Sequence, residues 1–333
     1  MAIARGTLAV FSVIKGTTWG TAGTVDAASK GIRVTSWSVD EGVEPLLDNS
    51  YNASPGMRQS TLVSLIKPSG TFEFDLKYEG CDIIQALFFG TAGVPTGVGP
   101  YLHTWTVKSD MTGVFASMAW YDELSTYTVT SAKFTGISYS STAGGAVKCK
   151  VSWKGHKYTR AAANNLSNLT EPTNIDRVQM IASVATYSIA AQGASLGAFA
   201  PGLADWSVDI TRDYNDWVTS TLAPYPDEFV SDRLNVKGKI TIAPKSAVTY
   251  PNLVATATAY KLKFAHILTS VTKEWHLWIP HVQFVKADDS VTPGGIPMPL
   301  EFRGDLATSS QSGYPATLVG VTAYNSRSTD ALA

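Results

Sequence analysis

The sequence predicts a mainly β protein, two β-sandwich or barrel units in tandem, each flanked by one α-helix. Three observations predict it. Apolar and polar residues alternate with period two in the best-patterned segments, helical periodicity is scarce, and one stretch of sequence is written twice.

The alternation is clearest at 71–78, where Phe72, Phe74, Leu76 and Tyr78 interleave with Thr71, Glu73, Asp75 and Lys77. That is the pattern of a strand with one face in a core and the other in water. Segment 147–154 repeats it, with Val147, Cys149, Val151 and Trp153 against Lys148, Lys150, Ser152 and Lys154. A later segment with the same apolar phase carries Pro297 and Pro299 on its polar phase, so it is expected to be an edge strand there or to begin late. The best helix is 81–89, apolar and closed by Gly90, with a poorer counterpart near 252–259.

The repetition starts from Trp37-Ser38-Val39-Asp40, which recurs as Trp206-Ser207-Val208-Asp209. Other matches keep the same order. Phe11-Ser12-Val13 aligns with Tyr187-Ser188-Ile189, and Gly70, Phe72 and Phe74 with Gly238, Ile240 and Ile242. Phe115-Ala116 then aligns with Phe264-Ala265, Phe134 with Phe284, and Val147, Cys149, Val151, Trp153 and Gly155 with Ile296, Met298, Leu300, Phe302 and Gly304. The offset falls in steps, as loop shortening in a second copy would produce. The expected organisation is a first β domain at 1–160, a linker at 161–178, a second β domain at 179–308 and a polar C-terminal arm at 309–333.

Composition excludes several classes. Charged residues make up 16% and the net charge is −1, so the cationic excess that drives nucleic-acid binding is missing. Cys81 and Cys149 form neither a disulfide framework nor a metal-ligand spacing. No secretory signal is expected, and the apolar runs are too short for a membrane-spanning helix. Gly97-Val98-Gly99 lacks the third glycine of a phosphate-cradling loop, and no nucleophile elbow or zinc-protease motif occurs. His276 and His281 are five apart, which puts them on opposite faces of a strand. Adjacent acids such as Asp122-Glu123 read as turn residues rather than a pair facing across a cleft. No catalytic, cofactor-binding or metal-binding residue is therefore expected. Nine tryptophans leave a carbohydrate-binding or adhesin-like β-sandwich as the alternative, but Trp37 and Trp206 occupy repeat-equivalent, core-like positions.

The repeat unit resembles the tail tube proteins of long-tailed, siphovirus-like bacteriophages. Trp19-Gly20-Thr21-Ala22, the Trp37 strand, a long polar stretch, Gly70-Thr71-Phe72-Glu73-Phe74-Asp75-Leu76 and a helix closing with Phe88-Phe89-Gly90 carry the likeness. The resemblance implies a structural subunit, not an enzyme, that forms stacked rings around a channel for DNA passage into the host. Six units per ring, supplied two per chain, imply a homotrimer with pseudo-sixfold symmetry. It also implies copies of the same chain, tape-measure and tail terminator or tip proteins as partners, with assembly in the host cytoplasm, a place in the virion tail and no membrane.

A bore that lets DNA slide should be acidic or neutral. Glu73 and Asp75, opposite the apolar phase of their strand, are the candidate channel-lining residues, while Lys148, Lys150 and Lys154 either face elsewhere or pair with acids in the wall. In the family the long loop after the Trp strand reaches the next ring. Here it corresponds to 42–67 and 210–235, with Glu44, Asn49, Tyr51, Arg58, Arg212, Tyr214, Trp217 and Tyr225 as candidate ring-to-ring contacts.

Overall fold

The computed structural model describes residues 10–23, 25, 31–47, 61–122, 124–161, 166, 176–181, 183–198, 202–218, 225–242, 254, 258–269, 272–287, 298–307, 309–310 and 314–332. The first half holds β1 (Val10–Lys15), β2 (Gly31–Ile32), β3 (Ser36–Asp40), β4 (Val43–Leu47), β5 (Thr61–Ile66) and β6 (Ser69–Asp75). After α1 (Asp82–Phe89) come β7 (Tyr101–Thr106), β8 (Ala116–Tyr121), β9 (Thr126–Thr142), β10 (Lys148–Lys154) and β11 (Lys157–Ala161). The second half holds β12 (Ala185–Ala191), β13 (Gly197–Ala198), β14 (Leu203–Trp217) and β15 (Glu228–Ile242). It continues with β16 (Tyr260–Thr269), β17 (Lys273–Ala287), β18 (Met298–Gly304) and β19 (Gly320–Asn325). The protein is mainly β, as its alternation predicts.

Strand pairing runs in the same order in both halves. In the first, β1 joins β2 and β8, and the ladder continues through β9, β10, β6 and β3. In the second, β12 joins β13 and β16, then come β17, β18, β15 and β14. The short β2 and β13 lead into β3 and β14, so each half wraps its sheet back towards its first strand. β11 pairs with β9 as β19 pairs with β17.

The registers correspond as well. Trp37 lies opposite Phe72 and Val39 opposite Gly70; Trp206 lies opposite Ile240 and Val208 opposite Gly238. On the next strand Gly70 faces Trp153 and Gly238 faces Phe302. In both halves an aromatic ring lies over a glycine, where a Cβ would come within 2.7 Å of Trp153 or 2.2 Å of Phe302. One alignment from the sequence is corrected. Phe11 faces Trp120 while Tyr187 faces Phe264, so Trp120, not Phe115, stands where Phe264 stands. A Phe-Ala pair in an apolar strand carries too little register information to prevent a slip.

Phe72, Phe74, Phe134, Val151 and Trp153 are the first half's share of one buried hydrophobic cluster, and Trp206, Ile240, Phe264, Phe284 and Phe302 the second half's. Helix α1 turns Ile84, Leu87 and Phe88 into the first core and packs on β9 and β1. Gly90 ends it at φ 81, donating its N–H to Ala86 O at 2.9 Å, where any side chain would also strike Met111. Its expected counterpart at 252–259 lies mostly outside the described residues.

Pro297 lies outside the described residues; within β18, Pro299 is matched with Thr241 on β15 and has no matched residue on β17 among the described residues. Most of the linker lies outside the described residues, but Val178 bridges Val147 and Leu76 through backbone hydrogen bonds of 2.7 and 2.8 Å. The C-terminal arm carries β19, paired with β17 on one edge and β7 on the other, with Val321 and Ala323 buried. That stretch is docked within the chain. Apolar residues at alternate positions let it seal two open edges.

Candidate channel face and contact hairpins

One continuous sheet joins the halves. The C-terminal part of β9 pairs with β10 on one side and with β14 on the other, from Thr142 opposite Asp205 to Gly136 opposite Thr211. Strand β9 can serve both halves because it bends. Ser131 sits at φ 51 and a bulge follows between the rungs of Trp153 and Ser152. The resulting order is β3, β6, β10, β9, β14, β15, β18, β17, four strands from each half.

The two faces of this sheet differ throughout. Its inner positions form the cores. Its outer positions hold Ser36 and Ser38, then Thr71, Glu73 and Asp75, then Lys148, Lys150 and Ser152, then Ser138 and Ser140. Across the junction they continue through Ser207, Asp209 and Thr211, Lys237 and Lys239, and Glu301 and Arg303. Following the rungs, Ser36, Glu73, Lys150, Ser138, Asp209, Lys237 and Arg303 form one transverse row. Acids and bases are mixed along it, and it ends on two neighbouring cations, Lys237 and Arg303.

Glu73 and Asp75 lie on this face, half-buried. Lys148 approaches Glu73 at 3.6 Å, and Arg177 approaches Asp75 at 3.3 Å. The lysines of β10 therefore share the acidic face, and Lys148 is paired with an acid of the wall. Lys237, Lys239, Asp209, Glu301 and Arg303 were not singled out from the sequence. The signal was available in Val236, Gly238, Ile240 and Ile242, which alternate with them as Phe72 and Phe74 do with Glu73.

The 210–235 stretch, expected as a loop, is mostly a long hairpin: β14 and β15 stay paired out to Trp217 opposite Glu228. Arg212 and Tyr214 continue the inward phase of Val208 and Ile210 and are only 2% and 6% exposed. Burial holds the Arg212 guanidinium below its ordinary value, with Tyr214 opposing. Within one subunit these two face its interior, and outward reach falls to Trp217, 60% exposed beside Val218 and Val230. Tyr225 packs on His156 with ring centroids 5.2 Å apart and under the Lys157 ammonium.

The hairpin is tied to the first half. Asp216 takes Lys67 at 3.0 Å and Lys154 at 3.6 Å, and Ser231 Oγ donates to Ser109 O at 3.1 Å. Phe229 meets Trp19 edge-on, and the buried Lys133, donating to Met111 O, lies 3.7 Å from Glu228. Burial lowers the Lys133 pKa and Glu228 partly restores it. In the first half β4 and β5 pair in the corresponding place, with Glu44 near Leu65. Asn49, Tyr51 and Arg58 lie outside the described residues.

Among the described residues no group of His, Cys, Asp and Glu could hold a metal, and no helix is long and apolar enough to cross a membrane. What the described residues offer is an extended polar wall and two hairpins, β4–β5 and β14–β15. The family model described as phage tail tube protein matches residues 6–304. A search among curated proteins found no match.

Proposed function

From the premise that the chain belongs to the phage tail tube protein family, we propose that it is a two-unit tube subunit, three chains closing a pseudo-sixfold ring. Its role is structural: rings stack into a tube in the tail of the virion, around a channel for DNA on its way into the host. The single observation that carries this reading is the run of eight paired strands within one sheet, four from each half, with one polar face. Three such runs make roughly 24 strands, more than the 16–18 at which a closed barrel already leaves an aqueous bore.

With the polar face turned inward, Glu73 and Asp75 line the bore with Asp209, Lys237, Lys239, Glu301 and Arg303 of the second half. Lys148 beside Glu73 and Arg177 beside Asp75 are paired, and Asp209 and Glu301 stand among Lys150, Lys237, Lys239 and Arg303, so phosphates meet mixed sign rather than an unbroken cationic strip and slide past. The 42–67 and 210–235 hairpins reach the adjoining ring, Trp217 leading on the second, with Glu44, Asn49, Tyr51 and Arg58 on the first and Arg212, Tyr214 and Tyr225 supporting. Partners beyond copies of the chain are the tape-measure, terminator and tip proteins that a long tail requires, assembled in the host cytoplasm.

Negative-stain electron microscopy across a concentration series, with the mass of the particle in solution, tests this. Hollow rings or tubes with three chains per layer are expected. Rings of another stoichiometry overturn the trimer, and a particle that stays a single chain at every concentration and binds glycans on an array overturns the tube.

A further inference from the structure

We propose that the Arg212 guanidinium holds a tetrahedral oxyanion, phosphate or sulfate taken from solution, between the base of the β14–β15 hairpin and the first half. The site is separate from the polar wall and does not depend on the tube reading.

Arg212 is 2% exposed, and its charge is permanent, because a guanidinium keeps its proton inside a protein. A buried charge is costly unless an opposite charge or a set of hydrogen bonds meets it. Arg212 has neither among the described residues. Its Nε and Nη2 are sealed from solvent without a hydrogen-bond partner, and the ion pairs around the hairpin base do not include it.

The neighbouring acids are already taken. Asp216 meets Lys67 at 3.0 Å and Lys154 at 3.6 Å, and Glu228 meets Lys133 at 3.7 Å. Two acids thus serve three lysines, and Arg212 adds a fourth cation with no acid of its own. Asp110 is exposed and accepts from the Thr112 N–H at 2.8 Å. Asp209 and Asp213, nearest along β14, carry exposed side chains on the opposite phase.

The vacant groups fit an oxyanion. Nε and Nη2 form the edge of the guanidinium whose two N–H bonds run parallel, so two oxygens of one anion can accept together. Beside it Tyr214 is 6% exposed, its hydroxyl also buried without a partner and close enough to couple electrostatically to Arg212. A phenolic O–H supplies a third donor. A tetrahedral ion has an oxygen for each of the three, and a planar carboxylate has only two. Burial puts the group out of reach of another subunit's side chain, which leaves a small ion enclosed as the hairpin closes on the first half. Lys133 of β9 lies near enough to feel the Arg212 charge, so the ion bridges the two halves.

The test is urea unfolding of the full chain, with phosphate replacing chloride at constant ionic strength, for wild type, Arg212→Met and Tyr214→Phe. A ligand that binds only the folded state raises stability with the logarithm of its concentration once that passes Kd. The wild-type midpoint is expected to climb in this way, and sulfate to act as phosphate does. Arg212→Met keeps the length of the side chain, removes the charge and is expected to lose the climb. Tyr214→Phe removes one hydroxyl and is expected to need about tenfold more phosphate for the same rise.

Equal slopes in wild type and Arg212→Met place the anion effect elsewhere and overturn the site. A wild type that responds to neither ion overturns it too, the result if water alone fills the space. Should Arg212→Met fail to fold, Tyr214→Phe decides, and an unchanged concentration dependence there overturns the site.

Discussion

The same four residues, Trp-Ser-Val-Asp, occur in β3 and β14 on the same face of equivalent strands, yet Trp206 is fully buried and Trp37 is not. What differs is the outer neighbour. β14 has β9 along its edge, and β3 has no partner there among the described residues. Burial at these positions is a property of the junction rather than of the strand. The two halves thus display one strand with and without a neighbour along its outer edge.

The largest effect that could break this comparison is at the tryptophans. Trp206→Ala should cost about 3–5 kcal/mol, in the range for large core truncations. Trp37→Ala should cost roughly half that in the unassembled chain. Urea unfolding of the two variants measures both, and equal costs in the free chain would remove the distinction.

Acid should separate the halves next. His266 in the second core is wholly buried, with Nδ1 2.9 Å from Gln179 O and its ring among Tyr187, Trp206 and Trp275. Burial lowers its pKa to about 4. The unfolded chain takes up the proton first as pH falls, so this stabilisation is complete above the unfolded value near 6.5 and is lost between there and about 4. The loss is on the order of 3 kcal/mol. Hydrogen exchange at pH 7 and pH 5 should show 260–284 losing protection before 69–75 and 148–154; equal loss would break the contrast.

The glycine sites sharpen the likeness. Gly70→Ala places a Cβ 2.2 Å from Ser38 O and 2.7 Å from Trp153, and Gly238→Ala places one 2.2 Å from Phe302. Each should cost about 1–3 kcal/mol by overpacking, and thermal melts should move together. A harmless substitution at one site alone would mean the two aromatic covers are not the same device. Smallest is Lys148→Ala, which removes a partly exposed ion pair with Glu73 and should change stability by less than about 1 kcal/mol.

Much of this fold was legible in the sequence wherever a strand has one wet face. Glu73 and Asp75 against Phe72 and Phe74, or Lys148 and Lys150 against Cys149 and Val151, announce both the strand and its polar side. The 210–235 hairpin was not legible, because its inward phase carries Arg212 and Tyr214, residue types that read as loop or surface until their burial is seen. The β9–β14 joint was hidden for another reason. Its partners, Ile137 and Ile210 among them, lie far apart in sequence, and local alternation says which face of a strand is apolar but not which edge it shares. β19 is short and set in a polar tail, so Val321 and Ala323 offered too weak a pattern to announce a strand.

That docked strand bears on the order in which the protein can be made. β7 lies beside β19; His103 touches the carbonyl of Arg327, 224 residues later, and Asn325 holds the carboxylate of Asp82, 243 residues earlier. A ribosome delivers the first unit long before the segment that finishes its rim. Contacts so distant along the chain form last and slowly, so the nascent first unit waits with an unfinished edge. The first unit takes its finished shape only after β19 has emerged, which ties its completion to translation of the second half.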